Sequence, residues 1–490
     1  MRKKRPNVLI FMTDQQQERV IHDHHPCYTP NLSRFKKEGL CFNRTYTTMA
    51  HCCPSRASFF TGKYPSEHGV LNNVSNEAAL SKGIKKDIPT IGELLNAANY
   101  DMYFSGKWHL SSEENPFDRG WKELKVTASK DAYMSTSIEE WSEVPHISEN
   151  ARRERGHLHR PGWKDYKLYG TGDGAYNSDL DVIEKATMQL DKLKQTNDPW
   201  CMYVGLFGPH DPFIVPEKYL AHYDAKEINL PDNYRDTLQN KPGYYKRMKK
   251  QWDQLTEEEV KESIMHYWAY NTMVDDLFGK ILDTLERNNQ VDDTLVLFLS
   301  DHGESLGAHG LYLKGASPFE ETYRIPCVIR WPEGIEKPGR DINELVSMID
   351  LAPTLLEVAN VAGKEKMSGV SLVPFFRNEE PEAWKEAVFT QCNGVEIYYT
   401  QRMVITNRYK LVYTPVDTDE LYDLLEDPGE MKNLIEEPAY SKIKKQLFSY
   451  MWENAARSND RIFSHYPTAT MADYGPTVGV RKERERSFHN

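Results

Sequence analysis

Hydrophobic residues in this chain come in short unbroken runs, each leading into a polar loop. Asn7 to Thr13 (NVLIFMT) is almost continuously apolar, the pattern of a central strand covered on both faces. Trp200 to Phe207 (WCMYVGLF) and Thr294 to Ser300 (TLVLFLS) repeat it, and Tyr103 and Phe104 lie on a shorter strand ending at Gly106. Between these runs the period changes. Pro30 opens a helical stretch through Leu32, Phe35 and Leu40, and Pro89 opens another through Ile91, Leu94 and Leu95. Glu257 to Arg287 carries Ile264, Trp268, Met273, Leu277, Ile281 and Leu285 at helical spacing. Strands alternating with helices predict an α/β sandwich with a large, mostly parallel central sheet flanked by helices. Functional residues are then expected at the carboxyl ends of its strands.

The pattern weakens in two places. Residues 113–176 are polar, rich in Trp, Tyr and His, and weakly periodic, which reads as a long excursion over one face of the sheet and a source of substrate contacts. After Phe376, short strand candidates (387–390, 402–406 and 410–413) precede a helix from about 441 to 456, the signature of a small antiparallel α+β unit. The expected division is a catalytic domain over 1–375 and a C-terminal α+β subdomain over 376–490. The charge run Arg481 to Arg486 reads as a solvated end.

Composition narrows the function. At 490 residues, 39% hydrophobic, with 28 Tyr and 10 Trp, the chain is globular and able to bury a large core. A net charge of −12 argues against a nucleic-acid partner, although a locally positive pocket remains compatible with it. The basic start Arg2 to Arg5 is followed by an apolar run too short for a signal peptide, and no segment approaches the ~20 apolar residues of a membrane helix. Seven cysteines (27, 41, 52, 53, 201, 327 and 392) are scattered and odd in number, unlike a disulfide framework. The plain expectation is a cytoplasmic enzyme, or a periplasmic or secreted one if a leader has been removed.

Polar clusters follow the strand candidates. Asp14, Gln15, Asp301 and His302 supply mainly oxygen donors from two strand ends, suited to one hard cation. Arg56, Lys107 and Lys314 supply fixed positive charge for the oxygens of a sulfuryl or phosphoryl group. His109 and His210 are of the type that moves protons near neutrality. Cys52 stands before an apparent first helical turn, where amides favour an anion. Each of these pieces alone is weak: an Asp after a strand is often a cap, and a buried cysteine is often core filler. His22, His24 and His25 form a loop that could bind metal but reads as a surface loop near the pocket, His68 and His309 either touch substrate or pack behind the site, and Trp108 packs and positions its neighbours.

The stretch CCPSRASFFTG (52–62) has the form C-x-P-S-R-x-x-x-x-T-G and resembles the sulfatase signature read by the machinery that oxidises cysteine to Cα-formylglycine. NVLIFMTDQQ, TPNLSRF, SGKWHL, GPHDPF, SDHGESLGAHG, LKGASPFEETYRIPCVIRWP, DLAPTLLEVA and DELYDLLEDPGEMKNL are similar to that family's successive blocks, in order, from residue 6 to about 435. The resemblance implies an alkaline-phosphatase-like fold and a formylglycine-dependent sulfatase, matured by a formylglycine-generating enzyme. In this register Cys52 becomes formylglycine, whose hydrated form attacks sulfur in line, and the sulfo-enzyme then expels sulfate by elimination. Arg56 would hold the diol, His109 act as base, Lys107 and Lys314 grip the sulfate, and His210 with Lys314 help the leaving oxygen depart. Asp14, Gln15, Asp301, His302 and residue 52 would bind one divalent metal, Ca²⁺ by the oxygen-rich donor set, with Mn²⁺ or Mg²⁺ as alternatives.

Two departures from the family pattern stand out. Many members carry a second Asp where Gln15 stands and Asn where His302 stands, and similar substitutions occur in relatives that cleave phosphonate monoesters and phosphodiesters. The expected substrate is a carbohydrate or other small organic sulfate ester. A phosphonate monoester or phosphodiester hydrolase is the alternative on the same scaffold. A silent binding protein and a hydrolase using the unmodified Cys52 thiol are more distant ones.

Overall fold

The computed structural model describes residues 5–480 apart from 76–78, 129–147, 149, 161–162, 316, 380, 382, 396 and 465. Much of the polar excursion, and the charged tail, lie outside the described residues.

The apolar runs pair as the centre of an 8-stranded sheet. Asn7–Thr13 lies between Thr294–Ser300 and Trp200–Gly205, and beyond the latter follow Asp101–Lys107 and Lys122–Thr127, all parallel. On the other side Cys327–Arg330 runs antiparallel to both Thr294–Ser300 and Leu40–Phe42, and Arg340–Ile342 closes the edge. The sheet is therefore mostly parallel, with one reversed strand.

Covering both faces explains the unbroken apolar runs. Leu9 and Phe11 join Met202, Val204, Val296 and Phe298 beneath the helices Pro30–Lys37, Tyr176–Leu193 and Glu257–Arg287. Val8, Ile10 and Met12 join Tyr203, Leu297 and Leu299 beneath Cys52–Thr61, Ile91–Ala97 and Leu351–Val358. Each such aliphatic side chain contributes about 1.5–3 kcal/mol by leaving water. The long helix Glu257–Arg287 starts at a capping box in which Thr256 and Glu259 satisfy each other's backbone N–H.

Leu40 does not continue the helix opened by Pro30. That helix ends at Lys37, and Leu40–Phe42 is a strand. Gly39 passes so close to Ile329 that a Cβ would lie 2.5 Å from its carbonyl oxygen, so the chain leaves the helix to pair with Cys327–Arg330. The expected C-terminal elements are present as Ala387–Cys392, Gln401–Thr406 and Tyr409–Tyr413 with the helix Ser441–Arg457. A further strand, Glu420–Asp423, completes an antiparallel sheet of order 387–392, 401–406, 409–413, 420–423. All seven cysteines are buried and free. No helix of the described residues is long and apolar enough to cross a membrane.

Candidate active site

The carboxyl ends of the central strands deliver the candidate residues to one place. Asp14 follows Asn7–Thr13, Asp301 follows Thr294–Ser300, and Lys107 ends Asp101–Lys107. Gly106, at φ +118°, lets that last strand end lie against Gly205, where a Cβ would meet the carbonyl oxygen at 1.9 Å. Cys52 opens the helix Cys52–Thr61, which Gly62 terminates in the left-handed conformation. Gln15, His109 and Leu313 also have positive φ.

Arg56 ties the floor together. Its Nε donates to Asp301 Oδ2 at 2.8 Å, Nη2 to Asp14 Oδ2 at 3.2 Å, and Nη1 to Tyr203 Oη at 2.8 Å and the Lys107 carbonyl at 3.1 Å. Lys107 donates to Asp14 Oδ2 as well. Burial works against an ionised Asp14, but Lys107, His210 and Arg56 outweigh it and hold the carboxyl well below its ordinary value. Asp14, Cys52, Asp301 and His302 each present one donor atom, all within 4.8 Å of one another and all buried. Cys52 Sγ lies 3.2 Å from His302 Nε2 and 3.7 Å from Asp14 Oδ1. His302 Nδ1 donates to the Gly303 carbonyl at 2.9 Å, leaving Nε2 facing the cluster. Two carboxylates, an imidazole and the residue 52 side chain fit a divalent cation.

Gln15 stands beside this donor set. Its backbone N–H donates to Asp301 Oδ1 at 3.2 Å, its carboxamide nitrogen donates to Asp211 Oδ1 at 3.0 Å and to Glu304, and its oxygen accepts from Lys314. Lys314 also meets His210 Nε2 and lies 3.6 Å from Asp211 Oδ1. His210 Nδ1 donates to the Asp211 carbonyl at 2.6 Å. Burial alone would raise the Asp211 carboxyl, yet His210 and Lys314 hold it down.

His109 is the outlying member. Nε2 meets Ser75 Oγ at 2.8 Å, while Nδ1 is buried with no hydrogen-bond partner among the described residues. Burial, followed by the charges of Lys107 and Arg56, keeps the ring far below its ordinary pKa, so it is neutral. His51, just before Cys52, has the same unpartnered Nδ1 and the same downward shift, caused first by burial and then by Lys314.

Several participants were not singled out from the sequence. Asp211, Glu304, Tyr203, His51 and Tyr166 all touch or border the site. Asp211 and Glu304 sit inside GPHDPF and SDHGE, so their blocks marked them. Tyr166, whose hydroxyl donates to Asp211 Oδ2, carried no motif. Cys53 points away: its sulfur accepts from Val74 N at 3.4 Å, and burial pushes its thiol up. His68 bonds Ser58 Oγ at 3.0 Å, and His309 stacks on Phe319 with its Nδ1 2.7 Å from Asp236, so both pack.

Residues 6–361 match the family model described as Sulfatase, and residues 307–457 match that described as N-sulphoglucosamine sulphohydrolase, C-terminal. The chain is 30% identical to choline-sulfatase of Rhizobium meliloti over 89% of this chain and 83% of that one. It is 27% identical to N-acetylglucosamine-6-O-sulfatase of Bacteroides thetaiotaomicron over 93% and 87%. Among solved structures it superposes on phosphonate monoester hydrolase of Agrobacterium radiobacter with a TM-score of 0.74, covering 93% of this chain and 96% of that one at 21% identity, a likeness of fold. The chain therefore belongs to the sulfatase family, sulfuric ester hydrolases of the alkaline-phosphatase-like superfamily.

Proposed function

We propose that this enzyme hydrolyses the sulfate monoester of a carbohydrate or other small alcohol, using Cα-formylglycine formed from Cys52 by a formylglycine-generating enzyme. The observation that carries the reading is the convergence of Cys52, at a helix N-terminus, with buried Asp14, Asp301 and His302 and the cations Arg56, Lys107 and Lys314. When present, the formylglycine hydrate supplies an oxygen nucleophile with a second hydroxyl that allows sulfate release, chemistry closed to a thiol. Asp14, Gln15, Asp301 and His302 would hold the metal, Ca²⁺ in this reading, which supplies Lewis-acid polarisation of the sulfuryl oxygens.

The chain's own groups do the rest. Arg56, fixed between Asp14 and Asp301, would hold the diol of residue 52. Lys107, beside Asp14, and Lys314, beside Gln15, would grip the sulfate with their positive charge. His109, kept neutral by burial and by Lys107 and Arg56, has at Nδ1 a nitrogen without a partner among the described residues, the one that would take the proton in the elimination. His210, whose Nδ1 donates to the Asp211 carbonyl, turns Nε2 to Lys314, so the Lys314 ammonium is the proton-bearing member of the pair that helps the alcohol oxygen depart.

Gln15 and His302, in place of the Asp and Asn common in the family, favour phosphonate monoester or phosphodiester hydrolysis as the second reading. Matured enzyme assayed on 4-nitrophenyl sulfate and phenyl phosphonate esters separates the two, with sulfate expected to have the larger kcat/KM. A phosphonate preference would reverse the assignment. Chelation should abolish turnover, and Ca²⁺ should restore it. Restoration by Mn²⁺ or Mg²⁺ alone would reassign the ion, and a rate untouched by chelation would remove the metal from the account.

A further inference from the structure

Exposure rises across the site from floor to rim. Side chains of Asp14, Arg56, Asp301 and His302 are 0% exposed, whereas His210 is 19% and Lys314 11% exposed. If His210 and Lys314 serve the leaving oxygen, as the sulfatase reading has it, the alcohol half of the substrate leaves past them. What stands there determines which alcohols fit.

Next to His210 and Lys314, reached through Asp211, stands a hairpin. His157–Leu158 pairs with Tyr166–Lys167, and the hairpin is fastened from several directions. Leu158 is fully buried, His159 N donates to Gln254 Oε1 at 2.9 Å, and Arg153 grips Glu259 of the long helix at 2.6–2.7 Å. Tyr166 reaches from it to Asp211, the carboxylate shared by Lys314 and His210. Over the Tyr166 ring, 4.6 Å from its centre, lies the guanidinium of Arg160.

Arg160 is half-buried yet has no carboxylate within ion-pairing distance among the described residues. The two acids whose charge it feels are otherwise engaged. Asp211 is held by Lys314, Gln15 and Tyr166, and Asp165 lies 3.1 Å from His159 Nδ1. Its remaining neighbour is neutral: with the Gln251 carboxamide oxygen turned toward it, Arg160 Nε and Nη2 donate at 3.2 Å. Burial without a paired acid draws the guanidinium below its usual range. A partly desolvated guanidinium gains from a charged hydrogen-bond partner, and Arg160, held by an aromatic face and a neutral amide beside the tyrosine that reaches Asp211, is arranged to receive an anion.

We propose that Arg160 is a specificity-determining residue that binds a second anionic group, a carboxylate or a further sulfate, on the alcohol half of the substrate. The inference rests on the sulfatase reading and sharpens it. The preferred substrate is a sulfate ester whose alcohol is itself anionic, and a cationic alcohol is disfavoured.

The test compares kcat/KM across alcohols of different charge in the matured enzyme and in Arg160→Gln. The anionic probes are 4-carboxyphenyl sulfate and glucosamine 2-N,6-O-disulfate, the neutral ones 4-nitrophenyl sulfate and N-acetylglucosamine 6-sulfate, and the cationic one choline sulfate. In Arg160→Gln the anionic-to-neutral ratio should fall at least tenfold, mostly through KM, and the choline-to-neutral ratio should rise. Arg160→Lys should keep most of the wild-type ratio, which a purely structural role of the side chain would not produce. Ratios unchanged in Arg160→Gln, or choline sulfate as the best wild-type substrate, would overturn the assignment of Arg160 while leaving the sulfatase reading intact. Turnover of none of these esters would overturn the sulfatase reading and this inference together.

Discussion

The floor of the site and its rim are built on different principles. On the floor, Asp14, Arg56, Lys107 and Asp301 sit at the ends of central strands or on the helix behind them, are at most 3% exposed, and neutralise one another through direct ion pairs. At the rim, His210, Asp211 and Lys314 sit on loops with 10–19% side-chain exposure, and Tyr166 and Arg160 arrive on a hairpin from the polar excursion. The floor is rigid because separating its charges leaves them unpaired in a medium where an unpaired charge is expensive. Rim groups lie closer to water, so changing them alters substrate handling more than folding. The floor holds the reacting residue and the metal donors, and the rim serves the departing alcohol.

Substitutions sharpen this contrast. Cys52→Ala should reduce sulfate-ester turnover to background with the fold intact, and substantial retained activity would break the proposed mechanism. Arg56→Ala leaves Asp14 and Asp301 without their shared guanidinium and should cost about 3–5 kcal/mol in urea unfolding. A loss below about 1 kcal/mol would show that the floor is not held by these pairs. Lys314→Ala should lower kcat/KM by about 10²–10³-fold, or about 2.7–4 kcal/mol of transition-state stabilisation, with a smaller loss of stability than Arg56→Ala. Equal stability losses would erase the distinction between floor and rim.

A third region supplies a control for the electrostatics. Glu420, fully buried in the C-terminal sheet, accepts from Tyr422 Oη at 2.6 Å and Tyr245 Oη at 2.8 Å, with no cation in contact among the described residues. Burial pushes its carboxyl up to about 7, the reverse of Asp14 among its cations. The folded state thus holds this proton more tightly than the unfolded chain. The stability it contributes is complete below about pH 4.5 and is lost as pH rises through about 7. Unfolding of wild type minus Glu420→Gln should therefore decline by up to about 3 kcal/mol between pH 4.5 and 8. A pH-independent difference would mean that the carboxyl is ionised throughout.

Much of this was legible in the chain. Unbroken apolar runs located the central strands because both faces are covered. The polar residues after them were placed at one site because parallel strands end on one edge. Three things were not legible. Leu40 kept helical spacing, but a close approach at Gly39, visible only in three dimensions, moved it to a strand. Cys327–Arg330, the reversed strand, lay inside a block recognised as a whole and was not resolved into an element. Tyr166 and Arg160 have no local signature, because their importance comes from a hairpin that carries them to Asp211 across 45 residues of sequence. Gln15 was expected among the metal donors, and its carboxamide also joins Lys314, Asp211 and Glu304, a link between floor and rim that no spacing encodes.

The most direct test of the central claim is a mass spectrum of the proteolytic peptide containing Cys52, taken from active protein made in its native host. The account predicts the mass loss of thiol-to-aldehyde conversion at Cys52, with Cys53 unchanged. An unmodified Cys52 thiol in protein that still turns over a sulfate ester would contradict it.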